Sequence, residues 1–193
     1  MTRGAGNRSF ELRAGVRGAA RFSPDRTRRY VLTRRWKGGG AGTVAFIGLN
    51  PSTADGRRDD HTVRTCWLRA LEWGYDALVL VNLYPLVATD PRDLRRDTGR
   101  IEQVNDATVL GRATAADRVL AVWGSPRNTA DRARARRISE LVAERGVELF
   151  CLARNRDGSP RHPRGVSREL APTPLAIPSR AHGRGGNLST GRR

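Results

Sequence analysis

The chain has 193 residues, 38% of them hydrophobic, and a formal net charge of +17, which suits one globular domain with basic segments attached. It contains no run of 18 apolar residues, so we expect no membrane span, and its polar, basic start lacks the apolar core of a secretory signal. Its two cysteines have no metal-ligand spacing, so a reduced, cytoplasmic setting is predicted rather than a disulfide framework.

Positive charge is concentrated at the two ends of the chain. Residues 1–29 hold eight arginines against two acidic residues, and residues 161–193 hold seven arginines against one. Lys37 is the only lysine, a bias that a GC-rich genome would also produce. Flexible basic segments attract polyanions whatever their origin. Nucleic acid is therefore the favoured partner, and solvated tails without a function are the alternative.

Composition divides the chain into three parts. Residues 1–27, rich in Gly, Arg and Ala, are typical of a disordered basic arm, and residues 179–193 are typical of a disordered basic tail. A single α/β domain is predicted over residues 28–178. The composition leaves the oligomeric state open, with a monomer favoured.

Strands and helices alternate along the domain. Four short apolar runs predict buried strands over residues 43–49, 77–83, 118–123 and 147–152. Helical spacing of apolar residues predicts helices over residues 61–73, 101–115 and 129–145. Residues 30–36 alternate and lead into a glycine-rich turn, which predicts an antiparallel edge strand. The predicted fold class is therefore α/β, a three-layer α/β/α sandwich around a four-stranded, mainly parallel sheet, with an N-terminal edge strand.

The stretch over residues 43–55 organises the rest of the domain. Its buried strand ends in three residues that form sharp turns, Gly48, Asn50 and Pro51. In open α/β sheets, ligands bind beyond the carboxyl ends of the strands. This turn is therefore the first candidate site, and a simple strand-to-helix turn with Ser52 or Thr53 as the N-cap is the alternative.

The later strands also end in polar turns, and all of these turns are predicted to face one crevice. The residues predicted to bind a ligand there are Gly48, Leu49, Pro51, Ser52, Asn82, Tyr84, Gly124 and Ser125. The loop over residues 155–163 completes the crevice. The chain has no Gly-x-Gly-x-x-Gly fingerprint, phosphate loop or nucleophile elbow. His61, His162 and His182 are widely separated, so no metal and no cofactor are predicted.

A crevice of amides, backbone groups and a few carboxylates suits a neutral, planar ligand such as a nucleobase. An amide donates and accepts at once, so Asn50 or Asn82 could read a base edge. The candidates for holding or activating a water are Asp55, Asp59 and Asp60. His162 could donate to a leaving base. The structural alternatives are aspartates that cap a helix, an Asn82 that ties two turns together, and a His162 that is only a surface residue.

Several short motifs carry a resemblance to a known family. They are Gly48-Leu49-Asn50-Pro51-Ser52-Thr53-Ala54-Asp55, Asp59-Asp60-x-Thr62, Trp73-Gly74-Tyr75, Val81-Asn82-Leu83, Ala88-Thr89-Asp90-Pro91, Trp123-Gly124 and Pro160-Arg161-His162-Pro163. In these residues the chain resembles a bacterial family known as domain of unknown function 1643. The resemblance covers residues 28–178 and implies membership of the family without implying an activity.

The turn after the first buried strand also resembles the first motif of the uracil-DNA glycosylase superfamily, in its mismatch-specific branch. That superfamily has a three-layer α/β fold around a four-stranded parallel sheet. The resemblance implies that Asn50 positions the attacking water and that Asn82 hydrogen-bonds a flipped base. It implies further that His162-Pro163 stabilises the leaving base.

The chain departs from that superfamily at three points. Ser52 is followed by Thr-Ala-Asp and not by the usual sequence of the mismatch-specific branch. Arg164 stands where a small serine is usual, and Tyr84 or Trp67 would have to supply the stacking aromatic. Arg127, Arg161 and Arg164 are predicted to contact phosphates. The predicted function is hydrolysis of the N-glycosidic bond of a damaged or modified base in nucleic acid, DNA in the first place. The alternatives are a hydrolase acting on free nucleotides, a non-catalytic nucleic-acid or nucleotide sensor, and a partner-binding adaptor.

Overall fold

The computed structural model describes residues 9–37, 40, 42–88 and 99–176. Within them the strands are β1 (Phe10–Glu11), β2 (Arg17–Phe22), β3 (Arg29–Arg35), β4 (Thr43–Gly48), β5 (Arg58–Asp59), β6 (Ala77–Asn82), β7 (Arg118–Ala121), β8 (Leu149–Cys151) and β9 (Thr173–Pro174). The helices in the same residues are α1 (His61–Glu72), α2 (Arg100–Thr114) and α3 (Thr129–Ala143). No helix in this part of the chain is long and apolar enough to cross a membrane. The predicted tail, residues 179–193, and residues 1–8 of the predicted arm lie outside the described residues.

Seven of the described strands form one mixed sheet in the order β2-β3-β6-β4-β7-β8-β9. Its centre is parallel, because β6, β4, β7 and β8 run in the same direction. These are the four strands that the apolar runs predict. On either side, β3 pairs antiparallel with β6 and β9 pairs antiparallel with β8. β1 and β5 form a separate two-stranded antiparallel sheet. The prediction of an α/β fold with a parallel centre is confirmed.

The predicted extent of the sheet is wrong, as is the place of its N-terminal strand. β2 pairs with the outer side of β3 over residues 17–22, so β3 is an internal strand. The prediction of a disordered arm over residues 1–27 is wrong for the same stretch. An unpaired β3 would expose a row of backbone N–H and C=O groups, and β2 satisfies them. The sheet therefore has seven strands in the described residues instead of four with one edge strand.

The glycine-rich composition that indicated disorder in the arm has a packing reason. A Cβ atom on Gly18 would lie 2.5 Å from the carbonyl oxygen of Gly56 and 2.8 Å from Cδ1 of Leu12. No larger residue fits there without moving the backbone, so glycine is required for a close approach. Gly18 lets β2 pass directly beside the loop that leads to α1.

Helices cover both faces of the sheet. On one face, Val63 of α1 packs in the same buried cluster as Phe46 of β4. On the other face, Val109 of α2 and Ile138 of α3 pack with Ile47 of β4. Neighbouring residues of one strand thus enter opposite cores, as the alternation of a strand requires. The two cysteines are buried and free. Because both faces are covered, the ends of the strands are left as the place for a ligand.

Candidate functional site

A cavity of about 360 Å³ lies at the carboxyl ends of the parallel strands. The predicted site residues that line it are Gly48, Leu49, Asn50, Ser52, Asp60, Asn82, His162 and Arg164. The lining residues that were not among the predicted site residues are Arg29, His61, Thr62, Leu80, Ala88, Val122 and Trp123. The cavity therefore combines amides, hydroxyls, rings and charges of both signs.

The amide of Asn82 is buried at the cavity with its donor unsatisfied. Asn82 ends β6 directly beside Gly48, the last residue of β4. The two are so close that a Cβ atom on Gly48 would lie 2.7 Å from Oδ1 of Asn82. Asn82 is 2% exposed, and among the described residues its Nδ2 has no hydrogen-bond partner. A buried amide donor without a partner costs free energy, so this group is suited to a ligand.

The amide of Asn50 is fixed by the turn that follows β4. Its Nδ2 donates to the carbonyl oxygen of Pro51 at 2.9 Å and to that of Ala88 at 2.7 Å. The backbone N–H of Ala88 also donates to the carbonyl of Pro51, at 3.0 Å. The turns after β4 and β6 are thereby tied together, and Pro51 acts through its carbonyl without lining the cavity. With Nδ2 occupied, Oδ1 of Asn50 is the atom left to accept a hydrogen bond.

Helix α1 begins at the cavity wall. Asp60 is its N-cap, and Oδ1 of Asp60 accepts a hydrogen bond from the N–H of Val63 at 2.8 Å. The first two residues of the helix, His61 and Thr62, line the cavity. Asp60 therefore has the capping role that the sequence leaves open, while it also lies in the cavity wall. The N-terminus of a helix carries partial positive charge, which is directed here at the cavity.

The ring of His162 contacts both α1 and its own loop. Its Nδ1 accepts the N–H of Arg164 at 3.3 Å, and its Nε2 lies 3.5 Å from Oγ1 of Thr62. Burial and the neighbouring Arg164 lower the pKa of His162, against the opposite effect of Asp60. The ring is therefore uncharged at neutral pH. Because Nδ1 accepts, the hydrogen lies on Nε2, and this atom is a donor at the cavity wall.

Arg29 places a buried cation in the cavity wall. It begins β3 and is 1% exposed. Its Nη1 donates to the carbonyl oxygen of Ala54 at 2.7 Å, whereas its Nε has no partner among the described residues. Burial lowers the pKa of Arg29 to about 10, against the opposite effect of Asp60, so the side chain stays charged at neutral pH. An arginine at the start of an alternating segment gives no local signal of this position.

Trp123 is the one Phe, Tyr or Trp among the described residues that line the cavity, and neither predicted stacking residue lines it. Trp67 packs in the core beside Trp36, with ring centroids 6.0 Å apart. Tyr84 is buried, and its hydroxyl donates to Oδ1 of Asp131 at 2.9 Å. Burial and this hydrogen bond raise the pKa of Tyr84 to about 12. Tyr84 therefore holds the turn after β6 against the start of α3 and does not contact a ligand in the cavity.

Three further candidates lie outside the cavity. The carboxylate of Asp55 accepts two backbone N–H groups of its own loop, at 2.7 and 2.9 Å. Burial acts to raise the pKa of Asp55, but these hydrogen bonds outweigh it and the pKa lies below its usual value. Gly124 lies next to His162, because a Cβ atom on Gly124 would be 3.7 Å from the Cβ atom of His162. Ser125 is exposed and contacts the hydroxyl of Ser159 at 3.5 Å.

The three arginines predicted to contact phosphates have different surroundings. Arg127 forms an ion pair with Asp131, in which Nε lies 2.5 Å from Oδ2. Arg161 is exposed but does not line the cavity. Arg164 is exposed and lines the cavity. Of the three, Arg164 is therefore the one placed to contact a ligand that enters there.

The described part of the chain contains no group of three or more His, Cys, Asp or Glu side chains that could hold a metal ion. The polar groups at the cavity are instead an amide donor on Asn82, an amide acceptor on Asn50, a ring donor on His162 and a buried guanidinium on Arg29. This set can recognise a planar ligand by hydrogen bonds and can bind an anionic group beside it.

Fold and cavity together define an α/β protein with a polar ligand cavity at the carboxyl ends of a sheet with a parallel centre. The model of a family of proteins of unknown function (DUF1643) matches residues 29–164. The match covers more than half of the chain and includes every residue described above as lining the cavity. The chain belongs to this family, and the predicted membership is confirmed. No curated protein and no solved structure matches the chain.

Proposed function

We propose that the cavity binds a nucleobase and that the protein hydrolyses the N-glycosidic bond between this base and its sugar. The observation that carries the proposal is the buried amide of Asn82, whose Nδ2 has no partner among the described residues. An asparagine amide matches the neighbouring donor and acceptor on a base edge. A cavity of about 360 Å³ lies within the usual range of small-ligand pockets.

The other cavity residues supply what a bound base needs. Trp123 is a large aromatic side chain in the cavity wall, and base–aromatic stacking contributes about 1–3 kcal/mol. Oδ1 of Asn50 stays open to a water beside the base, since its Nδ2 is held by the carbonyls of Pro51 and Ala88. These groups are fixed before a ligand arrives, so little conformational entropy is lost on binding.

Hydrolysis requires a positioned water and a stabilised leaving base. Oδ1 of Asn50 holds the water, and the carboxylate of Asp60 accepts a proton from it as the water oxygen bonds to C1′ of the sugar. The bond from C1′ to the base nitrogen breaks, and the base leaves with the electron pair. The N–H of His162 Nε2 stabilises the negative charge that develops on the base, and an uncharged ring can do this at neutral pH.

The order of the motifs supports the same chemistry. The Asn50 turn follows the first central parallel strand, Asn82 ends the next one in the chain, and His162 lies in the loop after β8. This is the order of the corresponding motifs in the uracil-DNA glycosylase superfamily, whose three-layer sandwich we propose for this family as well. A base in a duplex must be flipped out to reach such a cavity, and Arg164 is placed to contact the flanking phosphate.

Two specific observations support alternative functions. The buried guanidinium of Arg29 favours a hydrolase for free nucleotides, because a small anionic ligand can reach it. Nδ2 of Asn50 and Oδ1 of Asp60 already form hydrogen bonds that hold a turn and the start of a helix in place. These structural roles favour a protein that binds nucleotides or nucleic acid without cleaving them.

The decisive experiment is a cleavage assay on end-labelled single- and double-stranded oligonucleotides. The panel contains uracil, hypoxanthine, xanthine, mismatched thymine and alkylated bases, and the matching free nucleosides and nucleotides are assayed in parallel. We expect abasic product from one base, with a rate lower by about 10²–10³ in Asn50→Ala and little change in binding.

A matched control is Asn128→Ala, which removes an asparagine N-cap from α3 outside the cavity. It is expected to lower stability by about 1 kcal/mol and to leave the cleavage rate unchanged. Equal cleavage rates in Asn50→Ala and the unmodified protein would show that Asn50 does not position the water. Binding without product across the whole panel would leave the non-catalytic function.

A further inference from the structure

We propose that the same cavity contains an anion subsite, formed by Arg29 and the N-terminus of α1, which binds the phosphate of the nucleotide whose base lies against the amide of Asn82. The inference rests on the proposed function for the presence of a base at Asn82. It adds the class of ligand, a base that carries a phosphate ester, and it gives a role to a buried arginine.

The first observation is that the buried side chain of Arg29 has few polar contacts with the described residues. It is 1% exposed, and among the described residues no carboxylate forms an ion pair with it. One hydrogen bond, from Nη1 to the carbonyl of Ala54, is its polar contact there, while Nε has none. Asp60 and Asp55 attract the guanidinium without forming an ion pair with it. A buried charge that lacks an ion pair is unfavourable unless a ligand supplies one. The planar guanidinium matches two oxygens of a phosphate.

The second observation concerns the backbone N–H groups in the first turn of α1, a helix of 12 residues. The cap on Asp60 satisfies the N–H of Val63, and the N–H of Arg64 donates to the carbonyl of Asp60 at 3.0 Å. The N–H groups of His61 and Thr62 have no acceptor among the described residues. Both residues line the same cavity as Arg29. Free N–H groups at a helix N-terminus bind phosphate and similar anions.

The charges around the cavity agree with an anionic ligand. Arg29 and Arg164 are the cations in its wall, and Asp60 is the one carboxylate among the described lining residues. Oδ1 of Asp60 is held by the helix N–H, and His162 is uncharged at neutral pH. Because Arg29 is buried, a phosphate must enter the cavity to reach it. It belongs either to a free mononucleotide or to the phosphate beside an extruded base.

The test compares ligands with and without the phosphate by titration calorimetry on the full chain. The ligands are deoxyuridine, deoxyinosine and deoxyxanthosine, their 5′-monophosphates, and single-stranded oligonucleotides with the same bases. We expect one monophosphate to bind about tenfold or more tightly than its nucleoside, as a charge-assisted contact implies. Inorganic phosphate is expected to compete with the monophosphate and not with the nucleoside.

Two substitutions at one position assign the effect to Arg29. Arg29→Met removes the charge and should abolish the preference for the monophosphate, and Arg29→Lys should retain part of it. The control is Arg145→Met, at an exposed arginine after α3 that does not line the cavity, which should retain the full preference.

The measured affinities support or overturn the anion subsite. Equal affinity for nucleoside and monophosphate in the unmodified protein overturns it, as does a preference that persists in Arg29→Met. If Arg29→Met does not fold, a monophosphate that inorganic phosphate cannot displace overturns the subsite instead. Binding of the oligonucleotides alone, weakened by Arg29→Met, supports the subsite and assigns the phosphate to a strand.

The fate of the proposed hydrolysis is measured separately, as release of free base. If the ligands that bind through Arg29, monophosphate or oligonucleotide, release no base, the proposed hydrolysis is overturned and the subsite is kept. If Arg29→Met cleaves at the same rate and with the same KM as the unmodified protein, the subsite is overturned and the hydrolysis is supported.

Discussion

Two arginines of the same strand, Arg34 and Arg29 of β3, are both buried, but their polar groups are satisfied to different degrees. Arg34 is 0% exposed, donates to three backbone carbonyl oxygens and pairs with Asp59 at 2.8 Å. Arg29 donates to the carbonyl of Ala54 and forms no ion pair with a described residue. Arg34 fixes β3 to the loop before α1, whereas the charge of Arg29, which Asp60 attracts without an ion pair, lies in the cavity wall.

The difference shows what burial of a charge indicates about function. A paired and hydrogen-bonded arginine is compatible with a purely structural role, because the folded chain supplies all of its partners. An arginine with missing partners indicates a ligand when a cavity adjoins it. Arg69 shows that missing partners alone do not indicate a ligand. It is also buried, with Nε and Nη1 unpartnered among the described residues, but it lies against the backbone of Val166 and away from the cavity wall.

The largest expected effect on stability comes from the satisfied arginine. Arg34→Met should lower the free energy of unfolding by about 3–5 kcal/mol, because Asp59 would stay buried without its partner. Urea denaturation at neutral pH measures the loss. The exposed control, Arg145→Met, should change the free energy of unfolding by no more than about 0.5 kcal/mol. A loss below about 1 kcal/mol in Arg34→Met would show that Arg34 does not have this structural role.

A smaller effect is expected from Gly48→Ala, which alters the cavity wall without changing charge. The new Cβ atom would lie 2.7 Å from Oδ1 of Asn82, so the amide must move. We expect a loss of about 1–3 kcal/mol in stability and weaker ligand binding. The control is Gly111→Ala in α2, where no atom lies within 4 Å of the new Cβ and stability should rise by about 0.5–1 kcal/mol. Unchanged affinity in Gly48→Ala would show that the position of the Asn82 amide does not matter.

The unsatisfied arginine should contribute least to stability. Arg29→Met should change the free energy of unfolding by less than about 1 kcal/mol, because it removes a buried charge that lacks a partner. The same urea denaturation, run beside Arg34→Met, tests the contrast directly. Losses of equal size in the two variants would mean that Arg29 has a structural role like that of Arg34.

The smallest effect concerns pH and leaves the fold intact. Since burial and Arg164 lower the pKa of His162, its ring stays uncharged until the pH falls below the ordinary value of 6.5. Above that value kcat/KM should not depend on this group, and it should fall as the ring gains a proton at lower pH. A pH profile of base release measures this, and the acidic decrease should be smaller in His162→Gln. A profile that falls only above neutral pH would contradict the donor role of the uncharged ring.

Local sequence patterns were sufficient for the centre of the fold and for part of the site. The apolar runs predict the four parallel strands because both faces of each strand are buried, which makes the pattern continuous. The turns at Asn50 and Asn82 were found because polar, turn-forming residues directly follow such runs. The family membership follows from the same short motifs. These features depend on neighbours in the sequence.

Only the tertiary structure decided which residues meet across the chain. β2 could not be predicted, because its small residues and Gly18 carry a weak strand pattern whose reason is a partner distant in sequence. Asp55 and Tyr84 have residue types suited to the site, yet their hydrogen bonds are made elsewhere. Arg29 and Arg34 have the same side chain on one strand. What distinguishes a structural arginine from one open to a ligand is the set of distant groups around it, and the fold alone brings those groups together.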